Sequence, residues 1–422
     1  MSALLSLPTE LLHLICNEIA QPEVFAYAQC LGTPTQSLAA LASTCRLLHQ
    51  VATPILYRSV PTCRKFTPLF RTLITREDLA SHVREIFFEW ECINKIELLH
   101  GQHQAVERLA RKLSHDAGDN PRLPASEFES LLKNPFQGTS PRNEYDDDCD
   151  DLTSNLFLVL TLLLLPKIEY VEYTVNGHHL PENLYQPKFF QSLVEINFKH
   201  WDTEGGMDIR EIGFLLMAAP NVRILRGHMV SRNSGVPRHE GVRELYLEYS
   251  GIDYEGLMNL MDSFPILEVF TYSSGGSTAT WGYEANPSEF SNALLQRKDT
   301  LRHVALDLSE SYYLEDDVQD GDTLKGLKSM EVLETLKIDA SSLYVDQRGE
   351  STTNGNPVID LLPPSIKRFS LEGVQPHIYE DIRQLARAAN KRFPNLKQVI
   401  ISGEDADECH KLSEAFVKRS IT

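Results

Sequence analysis

The spacing of apolar positions changes once along the chain, near residue 60. Before it, apolar side chains return at helical intervals. Leu11, Leu12, Ile15 and Ile19 make one stripe. Pro8 stands ahead of them where a first turn tolerates proline, and Glu10 where the helix start favours an acid. Pro22, Gly32 and Pro34 punctuate a connecting stretch. Leu38, Leu41, Cys45, Leu48 and Ala52 then predict a second helix, with Ser37 as its cap and Pro54 ending or redirecting it. Two short amphipathic helices cannot hold a core alone, so they must pack on each other and on something else.

After residue 60 a short motif recurs: apolar, two residues, apolar, one residue, apolar. Its first copies are Val83-Ile86-Phe88, Ile168-Val171-Tyr173, Leu193-Ile196-Phe198 and Val222-Leu225 with Gly227 in the third place. Next come Val242-Leu245-Leu247, Leu267-Phe270-Tyr272 and Leu301-Val304-Leu306. Leu333-Leu336-Ile338, Ile366-Phe369-Leu371 and Leu396-Val399-Ile401 close the series. Alternation at the end of each copy predicts a short strand. Pro166, Pro220, Pro265 and Pro394 stand two residues ahead of a copy, and helical stretches such as GFLLMAAP and QLARAANKRFP often precede it. The unit is helix, turn, strand, loop. Its apolar face can be covered only by its neighbours, so the strands should stack in parallel.

Function, if the array binds, lies between the apolar positions. Alternation puts Glu172, Asn197, Arg226, Tyr246, Thr271, Ala305, Lys337, Ser370 and Ile400 on the opposite face. Glu172, Asn197, Arg226, Tyr246 and Lys337 are the polar and aromatic candidates for touching a protein substrate.

Composition narrows the classes. The 42% apolar and 23% charged content is that of a globular protein, and the formal charge of −19 disfavours phosphate backbones. No nucleic-acid partner is expected. The cysteines are odd in number, scattered and without a CxxC pair, which favours a reducing compartment over a disulfide framework or zinc site. The apolar run LFLVLTLLLL at 156–165 would rise about 15 Å as a helix, half of a ~30 Å hydrocarbon core. It predicts a buried helix. With no basic leader, the expectation is cytoplasm or nucleus and no membrane.

No P-loop, GxSxG or HExxH pattern occurs. His100 with His103, and His178 with His179, lack a second ligand pair at useful spacing. The acidic run Asp146-Asp147-Asp148-Cys149-Asp150-Asp151 lacks the glycine and terminal glutamate of a calcium loop, and it closes a polar stretch, 114–151, that reads as a mobile insertion. No catalytic residue, cofactor or metal is expected.

The first segment resembles the F-box family, particularly its fungal form. The resemblance rests on Leu7-Pro8-Thr9-Glu10-Leu11-Leu12 with Ile15, on Leu38, Leu41, Thr44-Cys45-Arg46 and Leu48, and on the tail Ala52-Thr53-Pro54-Ile55-Leu56-Tyr57-Arg58-Ser59-Val60. The following array is similar to leucine-rich repeats, and the family often joins the two in this order. The link from Ala20 to Ser37 is longer than the compact family pattern. The resemblance implies an α/β chain: a small α-helical F-box over 1–60, then an irregular leucine-rich-repeat solenoid over 61–422, with parallel strands on its concave side and helices outside. It implies docking on a Skp-type adaptor of a cullin-RING ubiquitin ligase through Leu7, Pro8, Leu11, Ile15, Leu38, Leu41 and Leu48. The repeats would hold an unidentified protein substrate while other subunits do the chemistry. A scaffold with no role in degradation, and a repeat protein merely capped by its first helices, are the alternatives.

Overall fold

The computed structural model describes residues 2–20, 33–61, 66–88, 158, 160–175, 190–200, 206–275, 284–310, 322–344, 356–417 and 421. The chain is α/β, with parallel strands joined by helices. It divides into two compact units: residues 1–197 with 217–221, and residues 198–216 with 222–422.

The first unit opens with four helices, α1 (Ser2–Leu5), α2 (Thr9–Ala20), α3 (Thr33–Ala42) and α4 (Arg46–Leu56). Leu12, Cys16, Leu38, Ala42, Leu48, Val51 and Ala52 form their buried core, with Leu7, Ile19, Leu41 and Cys45 packed against it. The sequence pattern predicted a single second helix. Two are present, because Ser43 and Thr44 turn their hydroxyls back onto the carbonyls of Ala40 and Leu41, each at 2.7 Å. Cys45 takes an extended conformation at the N-cap of α4. Ser37 lies inside α3 rather than at its cap, and Pro54 inside α4, which runs two residues beyond it before ending at Leu56.

The unit continues with β1 (Ser59–Pro61), α5 (Phe66–Thr75), α6 (Glu77–Ala80), β2 (Glu85–Phe88) and β3 (Tyr170–Val175). β2 pairs in parallel with both β1 and β3. Residues 160–163 of the long apolar run are helical, and Leu160 and Leu162 are buried. The predicted insertion at 114–151 lies outside the described residues.

The division passes through β4 (Glu195–His200). The second unit holds β5 (Met207–Asp208), α7 (Gly213–Ala218, its last two residues in the first unit), β6 (Ile224–His228), β7 (Val230–Arg232), β8 (Glu244–Ser250), α8 (Tyr254–Ser263) and β9 (Val269–Ser274). It ends with α9 (Pro287–Leu295), β10 (His303–Asp307), β11 (Thr335–Asp339), α10 (Pro357–Leu361), β12 (Arg368–Val374), α11 (Tyr379–Arg392), β13 (Gln398–Gly403) and α12 (Ala406–Val417). Strands β6, β8, β9, β10, β11, β12 and β13 are neighbours in that order and every pair is parallel. Parallel neighbours need a crossover, and helical segments supply it except between β6 and β8, where the connection carries only β7. Some are strongly signalled. Asn286 and Glu289 make a reciprocal capping box that spans Pro287 at the first helical position of α9.

The motif has a structural counterpart. Its second and third positions lie on the strands and are buried, as with Leu245 and Leu247, or Phe369 and Leu371. Gly227 fills a third place because a Cβ there would stand 2.7 Å from the Phe198 ring and 2.8 Å from Val230 Cγ2. The residue after the first motif position closes each turn. The Arg243 carbonyl accepts the amides of Glu268 and Val269, and the Glu334 carbonyl those of Lys367 and Arg368, at 2.8–3.0 Å. Side chains at these positions pair along the row: Arg302 with Glu334 at 3.1 Å, and Lys367 with the same carboxylate at 2.8 Å. The strands β1, β5 and β7 have no counterpart in the motif.

Candidate functional site

Two kinds of surface are candidates, a helix face in the first unit and strand faces in each unit. On α2 the apolar positions divide between core and solvent. Leu12 and Cys16 turn inward with Ile19, four and three residues apart, while Leu11 is 43% exposed and Leu14 57%. The single stripe of Leu11, Leu12, Ile15 and Ile19 is therefore two faces. Ile15 is half-buried between them. Leu5 on α1 and Leu47 on α4 are also exposed. Burial raises the Cys16 thiol above its ordinary pKa, as expected of a packing residue.

The predicted docking residues sort accordingly. Leu38 and Leu48 are core. Leu7 and Leu41 are partly buried against that core. Pro8 and Leu11 face solvent. Sequence periodicity did not single out Leu5, Leu14 or Leu47, since each adds to a crowded apolar pattern in which only packing decides what remains outside.

On the strands, Glu172, Asn197, Arg226 and Tyr246 are half-buried, and Lys337 is exposed. In the first unit Tyr170 donates to Glu172 at 2.8 Å, and the Asn197 amide donates to Glu172 at 3.1 Å and to the Tyr170 oxygen at 3.3 Å. Burial, with the nearby acids, pushes the Tyr170 hydroxyl well above its usual range, so it stays a donor. In the second unit Arg226, Tyr246, Thr271, Ala305, Lys337, Ser370 and Ile400 stand in register across consecutive strands.

The Arg226 guanidinium lies 4.0 Å over the Tyr246 ring, and the Tyr246 hydroxyl donates to Glu244 at 2.7 Å. Burial raises the pKa of that hydroxyl, and Glu244 raises it further. Lys337 stands three strands away and pairs with Glu372 at 3.0 Å. The structure thus brings Glu172 to Asn197 and Arg226 to Tyr246, and leaves Lys337 apart from that second pair. These faces offer hydrogen-bonding, charged and aromatic contacts suited to holding a protein surface.

Among the described residues no group of three His, Cys, Asp or Glu side chains could hold a metal ion, and no helix is long and apolar enough to cross a membrane. The histidine pairs at 100 and 103 and at 178 and 179, and the acidic run at 146–151, lie outside those residues. Compared with known proteins, the chain matches no family model and no curated protein.

Proposed function

We propose that the chain is a substrate-recognition adaptor of a Skp–cullin–F-box ubiquitin ligase. In this reading the four N-terminal helices are an F-box that docks on a Skp-type adaptor. The strand–helix units form an irregular leucine-rich-repeat solenoid, with its strands on the concave side and helices outside, and hold a protein substrate. The chain contributes no chemistry of its own. It acts by tethering, which raises the substrate's effective concentration near the conjugating enzyme.

The observation that carries this is the divided α2. Its inner face completes a small core, yet it leaves Leu11 and Leu14 at 43% and 57% exposure, with Leu5 on α1 at 42%. Leu11 and Leu14, three residues apart on one short helix, give an exposed apolar pair of the kind that a partner covers.

The test is co-expression with a Skp-type adaptor, followed by co-purification. Leu11→Glu/Leu14→Glu should abolish the complex and leave folding intact, because both side chains are outside the core. Leu12→Ala should instead cost about 2–5 kcal/mol of stability in the helical core. A folded wild-type chain that brings down no adaptor would sink the ligase reading and leave residues 1–60 as a cap. Adaptor binding with no effect on the ubiquitination or lifetime of any bound protein would favour the scaffold.

A further inference from the structure

We propose that Arg368, Ser370 and Ile400, with Lys337 beside them, form a docking point for a partner-protein segment that carries a carboxylate next to an aliphatic side chain. It lies on the strand face of β11, β12 and β13, within the second unit. The proposal rests on reading the repeats as the partner-holding part, but not on adaptor docking.

Strand register sets the arrangement. Lys337, Ser370 and Ile400 stand opposite one another on β11, β12 and β13. Thr335, Arg368 and Gln398 do the same two residues upstream, so the two rows share a face. The outer members of each row are two strand spacings apart, about 10 Å. Lys337 is exposed and Ile400 is 50% exposed, while the serine between them is short and half-buried. A notch therefore opens over Ser370, with a lysine on one side and an isoleucine on the other. In its row across the second unit, Ile400 is the one large aliphatic side chain.

Arg368 supplies the charge. Of the other cations on this face between β6 and β13, Arg226 is stacked over Tyr246 and Lys337 is paired with Glu372 at 3.0 Å. The exposed Arg368 side chain has no ion-pair, hydrogen-bond or ring partner among the described residues. The Thr335 hydroxyl and the Gln398 amide on either side of it, and the Ser370 hydroxyl, are uncommitted in the same sense. A free guanidinium takes a carboxylate through two parallel hydrogen bonds, and the flanking hydroxyl and amide can add donors. The neighbouring aliphatic side chain of the segment would then enter the notch and cover Ile400.

The probe is a short peptide of alternating aspartate and photoreactive leucine, crosslinked by light to the full-length chain and located by mass spectrometry. On wild type the crosslinks should fall on β11, β12 and β13 around Ile400, and an unlabelled aspartate–leucine peptide should compete them away. A lysine–leucine peptide should give none there. Arg368→Gln should lower the yield about tenfold at an unchanged unfolding midpoint, because the side chain is outside the core. Ile400→Thr keeps a β-branched side chain on the strand and should lower the yield about fivefold. Lys391→Gln removes the same charge from the exposed side of α11 and should change the yield less than about twofold. No crosslink on these strands, equal yields from the aspartate and lysine peptides, equal loss in Lys391→Gln and Arg368→Gln, or full yield in Ile400→Thr would each overturn the proposal. Adaptor co-purification is a separate readout on residues 1–60, so its failure would leave this result standing.

Discussion

Asp339 shows how much one side chain can organise. It is 5% exposed, and its carboxylate accepts the amides of Leu308 at 2.8 Å and Ser342 at 3.0 Å, and the Ser342 hydroxyl at 2.7 Å. Ser341 donates to it as well. The side chain therefore ties the ends of β10 and β11 to the turn that follows. Asp339→Ala would leave these buried donors unpaired and should cost about 1–3 kcal/mol, measured as a lower urea midpoint at unchanged slope. Gly227→Ala is the complementary case. Its Cβ would press on the Phe198 ring and Val230 and should cost about 1–3 kcal/mol through overpacking. The sequence marked Gly227 as the exception to an apolar place, but only the packed neighbours say why. Nothing in it distinguished Asp339 from other aspartates at strand ends, because its partners come from the end of the adjacent strand and from the turn that begins at it.

At the scale of elements, the repeated strands were the most legible feature. Each strand buries one side, and period two together with a fixed turn places that side without knowledge of the neighbours. The helices were less legible. Between β10 and β11 the described residues carry a single turn at Leu327–Ser329, where the neighbouring units carry α9 and α10. On α2 an apolar pattern wider than one face hid which residues face out. Where charged side chains join two helices, the pattern was silent too. Arg383 of α11 binds Glu408 of α12 at 2.5 Å, Lys411 binds the same carboxylate at 3.0 Å, and Arg387 pairs with Glu380 at 2.9 Å. Lys411 and Arg383 hold the Glu408 carboxyl below its usual pKa. Such exposed pairs weaken as salt screens them. Arg383→Gln should therefore lower the unfolding midpoint slightly at low salt and by less at 0.5 M, a difference that a two-salt denaturant series would resolve.

For the molecule as a whole, the excess of acids makes stability depend on how its carboxylates are placed. Glu334 is the clearest case. Lys367 at 2.8 Å and then Arg302 at 3.1 Å hold its carboxyl below the usual range, in the row that follows the first motif positions and is charged in every copy but Val194. A carboxyl whose folded pKa is depressed contributes stability above its unfolded pKa of about 4.3 and loses that contribution as pH falls through the folded value. Asp381 runs the other way. Burial raises its pKa, although the Tyr344 hydroxyl bonds it at 2.9 Å, so its contribution is present at low pH and lost as pH rises through the raised value. The two groups pull the acid limb in opposite directions, and a single acid midpoint would not separate them. Substitution does. Glu334→Gln should lower stability at pH 7 by about 0.2–1 kcal/mol, the range for partly exposed pairs, and the gap to wild type should close as pH falls toward 3. Asp381→Asn removes the opposite slope, so its difference from wild type should become more favourable as pH rises from 4 to 7. Denaturant unfolding at several pH values measures both. A Glu334→Gln gap that stays constant across that range would mean that the charge row contributes nothing through ionisation and serves only to shape the turns.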